Sequence, residues 1–294
     1  MTGANLDPRQ VLTSVGAVED ADINIAEAGL ALAAMDRPGM DRGGMDRGTG
    51  VPETYHAHLA AIADEMQKTA AELDCNAEGD AGLFNRATTL GKVLAGNFSY
   101  QGDRVTYDDL QNANLMRVID RRKGLPVALA ILYIHAARSL GWAIEGVNFP
   151  GHFVVRLHNA GRAVILDPFA GGEPCTTADL RRKLKAAAGE KAELQPEHYA
   201  AVGNRDILLR LENNLKIRLI QEGDLEKAAA ALERMLLVAP KHAPLYREAG
   251  LIQARLGNLN AARSALERFL EISDNDSQRH HVARLIQDLG QQIN

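Results

Sequence analysis

The chain has 294 residues, long for a single compact core, and its 46% hydrophobic and 24% charged residues give the balance of a globular protein of two domains. A formal net charge of −5 supplies no electrostatic footprint for nucleic acid or an anionic membrane, so neither is expected as a partner. Two cysteines, Cys75 and Cys175, make neither a metal-ligand spacing nor a disulfide framework, which fits a reducing cytoplasm.

The opening "MTGANLDPRQVLTSVGAVEDAD" carries acids and no apolar run, so no signal peptide is expected. Residues 22–35, "DINIAEAGLALAAM", have the spacing of an amphipathic helix. Tandem Met-Asp-Arg sequence follows, and its Gly, Pro and alternating charge predict a flexible low-complexity insertion over 35–50. Helical pattern resumes at "PETYHAHLAAIADEMQKTAAEL", continues through "GLFNRATTLGKVLAGN" and is expected again over "TYDDLQNANLMRVIDRR". "PVALAILYIHAARSL" is apolar nearly all round, as a fully buried helix is, and is too short and interrupted to span a bilayer. Gly141 can end it in the left-handed conformation.

Three strand-like segments come next, "AIEGVNF", "HFVVRLH" and "AVILDPF", the last two joined by the turn signal "NAG". "TTADLRRKLKAAAG" returns to helix, with Thr176 or Thr177 as N-cap. Its basic run, like "DRRKG" before it, reads as a solvated face. The fold class is therefore α+β, helices around a small antiparallel sheet over residues 1–202, followed by an all-α domain over 203–294.

In that second domain "LEKAAAALERML" aligns with "LNAARSALERFL". Residue 225 matches 259 and Gly223 matches Gly257, an offset of 34 that also pairs Leu232 with Leu266 and Arg234 with Arg268. A 34-residue period with small residues at fixed places resembles the tetratricopeptide repeat. Two such units rarely stand alone, so docking on the first domain is expected.

His152 opens the segment "HFVVRLH" and Asp167 closes "AVILDPF". A carboxylate can orient an imidazole for catalysis, or can simply satisfy a half-buried histidine while capping the turn "DPFAGG". A nucleophile decides between these readings. Its natural place is the N-terminus of the buried helix, where the dipole and unpaired amides depress a thiol pKa. There the sequence reads "KGLPVALA". Cys175 follows Asp167 by eight residues but enters a helix from a loop with no basic neighbour in sequence, and Cys75 sits beside acids. His135 reads as a hydrogen-bonded core histidine, His56 and His58 as pointing to different helix faces, and His280 and His281 as solvent-facing. No metal site and no cofactor are expected.

The segments "RRKGLPVALAILYIHAARSLGW", "GVNFPGHFVVRL" and "ILDPFAGG" resemble the transglutaminase-like core of the papain-type superfamily, and with the repeats behind them the bacterial SirB-type family. The resemblance implies that His152 stands at the superfamily's histidine position, Asp167 at its acid and Pro126 at its cysteine. Proline carries no nucleophile, while its fixed φ suits the first helical turn. The expectation is a non-catalytic, cytoplasmic scaffold with a regulatory role. It would hold a protein or peptide partner on the first helix of each repeat through Asn213, Asn214, Lys216, Arg247 and Gln253. The alternative is a cysteine hydrolase or acyl transferase using Cys175 with His152 and Asp167. Oligomeric state is not legible.

Overall fold

The computed structural model describes residues 7–36, 50–77 and 79–293. The Met-Asp-Arg insertion, apart from its ends, lies outside the described residues. The chain divides into two compact units. One is Met1–Val11 with Glu19–Leu211, and the other is Leu12–Val18 with Glu212–Asn294.

Helix α1 (Pro8–Ala17) is followed by α2 (Ile25–Met35), whose N-cap Asn24 accepts from Glu27 N. The sequence suggested one apolar face on α2; instead Ile25, Ala26, Ala28, Gly29, Leu30, Ala31, Leu32 and Ala33 are all buried. The reason is that α2 packs among α3 (Glu53–Glu72), α5 (Leu115–Arg121) and α6 (Pro126–Ser139). A Cβ on Gly29 would lie 2.8 Å from Leu115 Cδ2, so these helices approach too closely for a larger residue. Helix α4 (Gly79–Gly91) runs on into a π-helical turn, Lys92–Asn97. The single helix expected over "TYDDLQNANLMRVIDRR" is broken. A 3₁₀ turn, Leu110–Ala113, ends at Asn114, whose side chain then caps α5 by accepting from Arg117 N. Two short parallel strands, β1 (Gln101–Gly102) and β2 (Lys123–Gly124), flank this segment and carry no sequence pattern long enough to read.

Helix α6 begins at Pro126 and buries eleven of its residues, Pro126 to Ile134 and Ala136 to Ala137. It packs on β3 (Ile144–Val147) and β4 (Val154–Asn159), which with β5 (Arg162–Asp167), β6 (Glu173–Pro174) and β7 (Ala201–Val202) make an antiparallel sheet ordered β6-β5-β4-β3-β7. Strands β4 and β5 meet through Ala160 and Gly161, both at positive φ (47° and 77°), as a two-residue hairpin requires. Helix α7 (Thr177–Ala188) starts with a capping box between Thr176 and Asp179 and buries Leu180 and Leu184 against Val147, Phe149 and Val154.

Helix α8 (Asn204–Glu222) opens on a carboxylate far away in sequence: Asp20 accepts from Asn204 N and Arg205 N, each at 2.8 Å. The helical unit continues with α9 (Leu225–Val238), α10 (Ala243–Arg255), α11 (Leu259–Ile272) and α12 (Asp276–Ile293). Gly223 and Gly257, 34 residues apart, make the same left-handed turn at φ 80° and 77°. Leu232 is fully buried and Leu266 nearly so, with a Gly250 Cβ position only 2.6 Å from Leu266 Cδ2. Beyond the last repeat, Val282 and Leu289 of α12 cover Ala262, Leu266 and Phe269. At the other end of the chain Gly16 of α1 lies against α9, where a Cβ would meet Leu237 O at 2.3 Å.

Candidate functional site

The sequence Phe149-Pro150-Gly151-His152 folds as a tight turn in which His152 N donates to Phe149 O at 2.9 Å and Gly151 takes φ 68°. Proline at the second position and a left-handed glycine at the third are what a type II turn demands. His152 therefore stands in the turn before β4, not in the strand. From there its Nε2 reaches both carboxylate oxygens of Asp167, at 2.9 Å each. Asp167, at the end of β5, is 2% exposed and also accepts from Phe169 N (3.0 Å) and Ala170 N (3.3 Å), capping the 3₁₀ turn Pro168–Ala170. Orienting the imidazole and capping the turn, which the sequence offered as alternatives, are both done by one carboxylate.

A third group joins them. Lys183 of α7 donates to Asp167 Oδ2 at 2.6 Å. The "LRRKLK" run was expected to be a solvated face, and for Lys183 that is corrected: the three-residue step from Leu180 and the packing of Leu184 turn its stem toward the sheet. Burial alone would raise the Asp167 pKa. Hydrogen bonds and charge from His152 and Lys183 outweigh it and bring the group down to about 2. Nε2 faces Asp167, and the other ring nitrogen, Nδ1, has no hydrogen-bond partner among the described residues. Pro126 occupies the first position of α6, and its ring holds no acidic proton.

Cys175, between β6 and α7, packs at the edge of the Val147, Phe149, Val154 cluster. Burial, then the Asp167 charge, pushes its thiol up to about 11. Cys75 is buried with Sγ 3.3 Å from Thr89 Oγ1. Tyr133, on α6, was not singled out from sequence; its buried hydroxyl has no hydrogen-bond partner among the described residues and lies 2.8 Å from a Cβ position on Gly172. The other candidate histidines have surroundings of their own. His56 meets Glu27 (3.1 Å), His58 meets Tyr100 (2.7 Å), His135 meets Leu59 O (3.0 Å), and His280 and His281 are exposed. No cluster of three metal-ligating side chains occurs among the described residues, nor does any helix there long and apolar enough to cross a membrane.

On the repeat unit, Asn213 and Asn214 are half-buried on α8 and Arg247 and Gln253 half-buried on α10. Arg247 Nε is buried without a hydrogen-bond partner in the described residues. Gln253 accepts from Asn258 at 2.8 Å. Lys216 is only 4% exposed and ion-paired with Glu248, tying α8 to α10. Two residues that sequence reasoning passed over stand out on the same helices: Ile217 and Leu251 are 43% and 36% exposed and are themselves 34 residues apart. The repeat offset was the signal that would have paired them.

Residues 53–213 match the family model of the transglutaminase-like superfamily, and residues 215–287 match a tetratricopeptide-repeat model. A UPF0162 protein of Pseudomonas aeruginosa is 31% identical over 223 residues, covering 72% of this chain and 78% of that one. A UPF0162 protein of Xylella fastidiosa is 32% identical over 183 residues, 60% of this chain and 64% of the relative's own length. F-box only protein 21 of Mus musculus is 36% identical over 80 residues, 27% of this chain and 13% of that protein. Among solved structures, a crystal structure of menin that reveals its binding site for Mixed Lineage Leukemia protein aligns over 94% of this chain and 74% of its own, at 11% identity and a TM-score of 0.39.

Proposed function

We propose that this chain, which belongs to the transglutaminase-like superfamily and carries tetratricopeptide repeats behind that core, is a non-catalytic cytoplasmic scaffold with a regulatory role. The observation that carries the reading is Pro126. An oriented His152–Asp167 pair is present, but the helix N-terminus that would activate a nucleophile begins with a residue that has none. Cys175 is a poor substitute, since a thiol pushed up to about 11 is almost wholly protonated at neutral pH.

Tetratricopeptide repeats generally mediate protein–protein interactions, and here the first helices α8 and α10 offer a row for a partner. Ile217 and Leu251 would supply apolar contact, Asn213, Asn214 and Gln253 hydrogen bonds, and Arg247 a guanidinium charge. Lys216 would act through Glu248, holding the two helices in register. The transglutaminase-like core followed by tetratricopeptide repeats supports the interaction role without naming a partner.

Two measurements test this. Affinity capture from native cells with the full chain should return a partner that Ile217→Asp with Leu251→Asp loses while both units stay folded. Alkylation at mildly acidic pH should leave Cys175 slow to react. Fast labelling of Cys175 that disappears in His152→Ala would establish the cysteine-enzyme alternative instead.

A further inference from the structure

The loop from Asp103 to Asp109 is held from beneath and bare on top. The Asp103 carboxylate, 2% exposed, accepts from Val105 N (3.1 Å), Thr106 N (2.9 Å), Thr106 Oγ1 (2.6 Å) and Arg121 (2.9 Å). Asn112, fully buried, donates to Thr106 O at 2.6 Å and is itself held by Arg121 at 3.0 Å. Yet the side chains this network presents are in water: Val105 is 89% exposed, Tyr107 39%, and Arg104 is exposed as well. An apolar side chain at 89% exposure gains nothing from the fold that fixes it.

Arg104 and Tyr107 converge on Phe169, beside the His152–Asp167 pair, and Val105 stands between them in the loop. Arg104 lies over the Phe169 ring at 5.6 Å, and Tyr107 and His152 each meet it edge-on with centroids 5.9 Å apart. Gly102 supports the ring from below, where a Cβ would fall 2.4 Å from it. Asp103 and Asp109 are turned to Arg121, and Arg104 forms no ion pair among the described residues. A cation with no ion pair among the described residues, an exposed valine and a tyrosine on a braced loop, with the Phe169 ring and an imidazole nitrogen of His152 beside it, have the composition and preorganisation of a recognition surface.

We propose that the rim of Arg104, Val105, Tyr107, Phe169 and His152 is a second interaction surface, separate from the repeats, that takes a peptide segment carrying a carboxylate beside a large apolar side chain. The carboxylate pairs with the Arg104 guanidinium, whose planar donors match it, and the apolar side chain covers Val105 and the exposed edge of Tyr107. A small anion would leave Val105 in water, so the exposed valine favours a peptide.

The test is selection of a random heptapeptide phage library on the immobilised full chain, followed by anisotropy with the enriched peptides, fluorescein-labelled. Enriched sequences should place Asp or Glu next to Leu, Ile, Phe or Trp. Their Kd should weaken at least tenfold against Arg104→Ala and likewise when the acid is changed to its amide. Gly102→Ala, which displaces the Phe169 ring, should also weaken binding, whereas Arg247→Ala on the repeat unit should not. Arg104 is exposed, so its variant tests binding and not folding. No enrichment, peptides without an acid, or peptides indifferent to Arg104→Ala would each overturn the proposal.

Discussion

Each unit buries a carboxylate against cations, and the two do it differently. In the repeat unit Glu212 of α8 meets Arg234 of α9 through Nε and Nη2 at 2.9 Å, with both side chains 4% exposed. In the transglutaminase-like unit Asp167 holds Lys183 and His152, and His152 keeps a nitrogen unpartnered in the described residues and 15% of its side chain exposed. The first arrangement is closed and fixes how two helices pack. The second leaves an imidazole nitrogen open at its edge among the described residues. The same contrast holds inside the repeats: Arg268, at the position equivalent to Arg234, is exposed and pairs with Glu271, because Tyr246 stands where Glu212 does one repeat earlier.

Breaking the closed pair should have the largest effect. Arg234→Ala takes the Arg234 charge away from the Glu212 carboxylate in the helix interface, and removing one partner of a buried pair costs about 3–5 kcal/mol. Arg268→Ala, at the equivalent exposed position, should leave stability nearly unchanged. Urea melts followed by hydrogen exchange of α8 and α9 would check this. Equal losses at the two positions would mean the burial difference has no energetic weight.

Leu232→Ala comes next. A fully buried leucine between repeat helices should cost roughly 2–5 kcal/mol, and the loss should spread to α10 and α11 because repeats hold together through neighbours. Leu266→Ala should affect a shorter segment, α10 to α12, although the residue is just as buried. Limited digestion with mass analysis would show cuts after residue 212 in the first variant with Glu19–Leu211 intact. A resistant Leu232→Ala chain would break the equivalence between repeat position and packing.

The Asp167 site should show itself in acid. Its folded pKa of about 2 lies below the ordinary carboxylate value near 3.9, so the stability it contributes is present above about pH 4 and lost as pH falls through about 2. That difference corresponds to about 2–3 kcal/mol. Asp167→Asn should therefore flatten the stability curve between about pH 4 and pH 2. His58 adds a separate limb. Burial, then the Arg122 charge, lowers it to about 4, so the unfolded chain binds the extra proton and stability falls as pH drops from 6.5 toward 4. His58→Gln should remove that slope and leave the lower one. A single limb that vanishes in either variant would show the two groups to be coupled.

The legibility of the two regions differs for a physical reason. The repeats rest on contacts within one 34-residue period, so identities at 225 and 259 or 232 and 266 announce them, and the α+β core was readable from α6 and the β4–β5 hairpin for the same reason of locality. What escaped was non-local. Asp20 caps α8 from 184 residues away, Lys183 reaches Asp167 from another element, and β1 pairs with β2 over two residues only. None of these leaves a periodic trace. The His152–Asp167 pairing was visible only because a turn signal and a strand end bracketed it, and α2 was misjudged as one-sided because burial on every face depends on helices that follow it in the chain.

The smallest structural change tests the non-catalytic proposal most directly. Pro126→Cys places a thiol at the first turn of α6, where unpaired amides and the helix dipole favour a thiolate. Proline gives up no hydrogen bond there, so stability should shift by less than about 1 kcal/mol. The new thiol should titrate below the ordinary cysteine value near 8.5, and its rate of alkylation at about pH 6 should fall in the double variant with His152→Ala, since Nδ1 is the ring nitrogen left to accept its proton. Cys175 serves as the internal standard, held up at about 11 in the same molecule. Reading both thiols by mass spectrometry separates a local electrostatic effect from unfolding, which would make them react alike. If the thiol introduced by Pro126→Cys titrates as an ordinary cysteine and ignores His152, residue 126 is not the nucleophile position, and the non-catalytic reading loses the observation on which it stands.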